Sequence, residues 1–106
     1  MRVASVVELR PEYEQEYIEL HRAVWPEVLA ALKAAHVSNY SIYLHGNLLI
    51  SYLEYDGDDY EADMARVAED EATQRWWQIT DPMQRSLRES DSEGWWRRLP
   101  EVFHLD

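Results

Sequence analysis

His21 is the side chain in this sequence best suited to moving a proton at neutral pH, because imidazole titrates within the physiological range. It stands in the stretch Tyr17-Ile18-Glu19-Leu20-His21-Arg22-Ala23-Val24-Trp25-Pro26-Glu27, where Tyr17, His21 and Trp25 recur at every fourth position. On a helix that spacing sets a phenol, an imidazole and an indole along one face. Such a face joins an acid/base group to flat apolar walls and a hydroxyl, which is equipment for proton transfer on a small polar molecule. A histidine among aromatic residues also serves in cores and at rims, so this stretch by itself leaves both roles open.

Trp76-Trp77 is the second feature with chemical content. Neighbouring indoles on a helix point about 100° apart, so one is expected to pack inward and the other to line an opening. An aromatic face stacks well on the C–H face of a pyranose, and polar groups around it can read the hydroxyls. The same dipeptide can equally close the space between a helix and a sheet. Trp95-Trp96 reads more simply as an interface or a cover for the sheet.

Other chemistries find no support. The four histidines, His21, His36, His45 and His104, form no HxH or HExxH pair, so no metal site is expected. There is no glycine-rich phosphate loop, no GxSxG elbow and no dinucleotide fingerprint. No cofactor is expected. With 21 acidic against 10 basic residues, the net charge of -11 disfavours nucleic acid and anionic membrane surfaces. Cysteine is absent, which excludes disulfides and thiol chemistry. Without an apolar signal or membrane-length run, a cytoplasmic location is expected.

The elements that must position these residues follow from periodicity. At 106 residues the chain is expected to form one domain, residues 1–106. Residues 2–9 are rich in β-branched side chains and predict a first strand. Pro11 then opens a helix whose apolar positions Tyr13, Tyr17, Leu20, Val24, Val28 and Leu32 run to about Ala35, with a kink at Pro26. Residues 37–44 and 48–55 predict a hairpin across His45-Gly46-Asn47, with Tyr40, Ile42 and Leu44 on one face. Asp58 and Glu61 resemble a capping box ahead of a helix to about Asp70, and a short third helix spans Thr73–Ile79. Residues 80–98 lose all period and predict a long loop, before a last short strand at Glu101–Leu105. The order βαββαβ is the ferredoxin-like arrangement, with helices on one face of the sheet only. The open face needs a second layer, which a second copy of the chain supplies most simply as a homodimer.

In a set of short motifs the chain resembles the L-rhamnose mutarotase family. The matching pieces are Tyr17-x-x-x-His21, Val24-Trp25-Pro26-Glu27, Asn39-Tyr40-Ser41-Ile42-Tyr43-Leu44, Gln74-Arg75-Trp76-Trp77, Thr80-Asp81 and Glu101-Val102-Phe103. They occur in order over nearly the whole chain. The resemblance implies a dimeric α+β barrel of ferredoxin-like protomers and an enzyme that interconverts the α and β anomers of L-rhamnose. It implies His21 as proton donor and Tyr17, Tyr40, Trp76 and Trp77 as contacts to the monosaccharide. The chain departs from the family in a shorter turn at His45-Gly46-Asn47, in His104 where an aromatic residue is usual, and in residues 84–98. Two other classes share the architecture: a non-catalytic small-ligand-binding dimer and a monooxygenase-like enzyme.

Overall fold

The computed structural model describes residues 1–87 and 96–106. Its frame is β1 (Arg2–Leu9), in which Val3, Val7 and Leu9 turn to one side and are almost fully buried. β2 (Val37–His45) and β3 (Leu48–Tyr55) form the expected hairpin, and β3 pairs with β1 from Arg2↔Glu54 to Glu8↔Leu48. On the other edge of β1 lie β4 (Gln84–Arg85) and β5 (Arg97–Leu99). All pairings are antiparallel, and the order β2-β3-β1-β4 is that of a ferredoxin-like sheet.

The long helix expected from Pro11 to Ala35 is two helices, α1 (Glu14–Leu20) and α2 (Pro26–Ala34), preceded by a 3₁₀ turn at Pro11–Tyr13. Pro26 breaks the helix because it lacks an N–H and forces its predecessor out of helical backbone, and Trp25 is indeed extended at φ -59°, ψ 134°. A proline at the first position of a new helix costs nothing, since that N–H would be unpaired anyway. The expected capping box of Asp58 and Glu61 is replaced by a simple N-cap: Asp59, not Asp58, accepts the Ala62 N–H at 3.1 Å to start α3 (Tyr60–Glu69). Alanine at that third position has no polar side chain to return the bond. Asp70 starts α4 (Glu71–Thr80) by accepting both the N–H and the hydroxyl of Thr73, which extends the expected third helix by about half a turn at its start.

The chain's end differs from expectation. The last strand is Arg97–Leu99, and Glu101–Asp106 has no regular structure. Pro100 explains the stop, as it brings no donor to a ladder. Both ends of the expected 80–98 loop carry ordered strand, while Trp95 lies outside the described residues; Trp96 packs against the core cluster of Val7, Leu9, Tyr17, Leu49 and Met83.

At the far end of the sheet the Tyr55 hydroxyl bonds the buried Asp63 carboxylate, which also pairs with Arg66, and accepts the Asp59 N–H at 2.9 Å. Gly57 passes directly over this group, so that a Cβ there would land on the Tyr55 hydroxyl and Asp63. Gly57→Ala is therefore expected to destabilise the fold by about 1–3 kcal/mol, read as a lower midpoint in urea unfolding.

Candidate active site

α1 ends at His21, and that ending shapes the site. The Tyr17 carbonyl accepts the His21 backbone N–H at 3.2 Å and also faces the His21 ring, with Nδ1 at 2.9 Å. A carbonyl can only accept, so in the neutral ring Nδ1 carries the proton and Nε2 keeps its lone pair. The Tyr17 and His21 rings stack at 4.1 Å with 25° between planes, as spacing of four residues on a helix requires. Trp25 lies beyond the break and leaves that stack. It packs instead edge-on against Trp76 at 5.2 Å, and Trp76 in turn meets the His21 ring edge-on at 5.4 Å.

The two indoles of α4 divide as their angular offset demands: Trp76 is 5% exposed and Trp77 38%. From the sheet comes Tyr40. The β2–β3 register shifts between Ser38 and Ser41, a bulge at which Asn39 takes the left-handed φ of 48° and ties its amide to Glu54 at 2.8 Å. Val37 before the bulge and Ile42 after it both face the helices, opposite Tyr55 and Ser51 respectively. The extra residue thus lets β2 present Tyr40 toward α1.

Tyr17, His21, Tyr40, Trp76 and Trp77 all line one cavity of about 750 Å³ between the helices and the sheet. The remaining wall is largely aliphatic, with Val24, Val28, Ile42 and Leu49 among its members. Such a space, apolar with a few convergent polar groups, is the usual form of a small-molecule site. Among the described residues no three His, Asp or Glu side chains gather as metal ligands would.

Burial sets the electrostatics. Desolvation lowers the His21 pKa below the usual value, with the Tyr17 carbonyl opposing in part, so the ring is chiefly neutral at pH 7. Tyr17 is held far above the ordinary phenol range, first by burial and then by the Tyr40 hydroxyl, while an amide donated by Gln84 opposes the shift. The Tyr40 side chain is 41% exposed over all its atoms, yet desolvation of its hydroxyl raises its pKa as well. Both phenols remain protonated and act as hydrogen-bond donors or acceptors, not as bases.

A family model described as L-rhamnose mutarotase matches residues 2–105. The chain belongs to the L-rhamnose mutarotase family. Relatives of that name include proteins from Listeria monocytogenes, 39% identical over 98% of this chain and 97% of the relative, and from Bacteroides thetaiotaomicron, 36% identical over 99% and 98%. The crystal structure of an L-rhamnose mutarotase from Formosa agariphila superposes with a TM-score of 0.79 at 28% identity, over 100% of this chain and 99% of the other. The α+β fold and family expected from the sequence are therefore established. Sequence reasoning missed Gln84, a buried polar neighbour of Tyr17 that sits where the chain has no period.

Proposed function

We propose that this chain interconverts the α and β anomers of L-rhamnose, with His21 as the group that carries the proton. As a member of the L-rhamnose mutarotase family it is a carbohydrate isomerase. The observation that carries the assignment of His21 is its Nδ1 contact with the Tyr17 carbonyl at 2.9 Å, on a ring that lines the cavity. That contact leaves Nε2 as an acceptor at the pH where the ring is neutral. The starting state is therefore a base, and the protonated donor expected from the sequence is the state reached after the first transfer.

The reaction balances on this one group. Nε2 takes the proton of the anomeric hydroxyl, the bond from C1 to the ring oxygen opens, and the imidazolium delivers the proton to that ring oxygen. Both oxygens are on C1, so one ring reaches both. The aldehyde rotates about the C1–C2 bond and the same steps in reverse close the ring on its other face. Tyr17 and Tyr40 hydrogen-bond sugar oxygens, while Trp76 and Trp77 provide the apolar faces on which the pyranose rests. General acid/base catalysis of this kind contributes about 10²- to 10⁴-fold.

Substrate choice is tested by measuring anomer exchange of L-rhamnose beside L-mannose, which differs by one hydroxyl at C6, and a set of other neutral sugars. Selective acceleration of L-rhamnose is expected; equal acceleration of all would remove the substrate assignment and leave a general mutarotase.

The same reading includes a homodimer. The sheet face away from the helices carries the cross-strand rows Tyr43–Ile50–Val6 and Ser41–Tyr52–Ala4–Leu99. Next to this face, at the Arg2–Glu101 ion pair, begins a tail in which Val102, Phe103 and Leu105 are 94%, 79% and 80% exposed. An apolar strip of that kind is what a second copy would cover. Removal of residues 102–106, or Ile50→Lys, is expected to shift the protein toward monomer in analytical ultracentrifugation. An unchanged sedimentation coefficient in both variants would refute an interface on this face. No helix among the described residues is long and apolar enough to cross a membrane, and the cysteine-free composition suits a reducing cytoplasm.

A further inference from the structure

Gln84 opens β4, where its antiparallel partner is Leu9, so its side chain enters the helix-facing side of the sheet and is 3% exposed. Burying an amide is unfavourable unless it is paired, and an aliphatic side chain would fill the same space. Its Nε2 donates to the Tyr17 hydroxyl at 3.3 Å, joining residues 67 positions apart. A phenol has one proton, and an amide N–H can only give. The Tyr17 oxygen is thus an acceptor on the Gln84 side, and its own proton must leave in another direction. Val7, Leu9 and Leu49, which pack around Tyr17, carry no polar side chain, whereas the cavity beside it holds Tyr40 and the space for a sugar.

We propose that Gln84 is a positioning residue: by donating to the Tyr17 oxygen it commits the Tyr17 proton to the cavity, where it hydrogen-bonds the ring oxygen of the bound sugar. This rests on the role given to Tyr17 above. The Gln84 bond also counters the rise that burial and Tyr40 impose on the Tyr17 hydroxyl, keeping it the better donor at the moment the ring oxygen gains charge.

The test is a cycle of Gln84→Leu, Gln84→Met and Gln84→Glu in the natural chain and in Tyr17→Phe, with kcat and KM read from anomer exchange and folding checked by near-ultraviolet circular dichroism. In the natural chain Gln84→Leu and Gln84→Met are expected to lower kcat about tenfold with KM little changed. Gln84→Glu should lower it further, since a carboxylate would draw the Tyr17 proton away from the sugar. In Tyr17→Phe none of the three should add a further loss. The ¹³C shift of the Tyr17 ζ carbon should move in Gln84→Leu. Losses of equal size in both backgrounds, or none in the natural chain, would overturn the inference. Full activity in Tyr17→Phe alone would take Tyr17 out of the mechanism, and Gln84 with it. Two variants of similar bulk keep the result readable if one fails to fold.

Discussion

Alanine at position 21 is expected to yield a folded protein whose anomer exchange falls by about 10²- to 10⁴-fold. Folding should survive because the His21 ring borders an existing cavity of about 750 Å³ and does not plug a sealed core. The space left by the ring joins that cavity, so no isolated void is created and the usual cavity penalty is reduced. The Tyr17 carbonyl loses the Nδ1–H but keeps the backbone N–H of residue 21 at 3.2 Å. Catalysis, by contrast, has no substitute nearby: Tyr17 and Tyr40 are both held protonated by burial. Circular dichroism and exchange rates on the same sample check both halves of this expectation. Full activity in His21→Ala would remove His21 from the chemistry.

The second large effect is on pH. If neutral His21 starts the reaction, activity should be flat above about pH 6.5 and fall toward tenfold per unit on the acid side, roughly a hundredfold two units below the His21 pKa. The sign follows from burial, which lowers that pKa, so protonation sets in only below the ordinary histidine range. A protonated histidine acting first would give the opposite limb, with activity lost as pH rises. The same depressed pKa has a stability consequence. The unfolded chain binds this proton more readily, so the contribution of His21 to stability is present above about pH 6.5 and is lost as pH falls through its folded pKa. Rates corrected for the spontaneous reaction, with circular dichroism at each pH, separate loss of the base from loss of the fold.

Much of this was written in local pattern. β1 at residues 2–9 and the hairpin at 37–45 and 48–55 follow from β-branched runs and a short glycine turn, which are properties of neighbouring residues. The stack of Tyr17 on His21 follows from spacing alone. Pro26 illustrates where pattern misleads: apolar positions at intervals of three and four continue through it, yet the backbone cannot, and the break rather than a kink leaves His21 as the C-cap of α1, just past Leu20. Whether Asp58 or Asp59 caps α3 differs by one residue of loop path, which side-chain type does not encode. Long-range register was least legible. Gln84 looked like part of an aperiodic loop, and only its pairing with Leu9 across the sheet brings it to Tyr17. The bulge that aims Tyr40 was equally hidden, since alternation in β2 reads smoothly through Ser38 and Ser41.

The most direct measurement is saturation transfer between the α and β anomeric protons of L-rhamnose in proton NMR at pH 7.5, with catalytic amounts of the natural chain and of His21→Ala. Transfer that grows linearly with the natural chain and stays at the spontaneous rate with His21→Ala is the expected result. Transfer at the spontaneous rate with the natural chain, or equal acceleration by both proteins, would contradict the assignment of anomer exchange to His21.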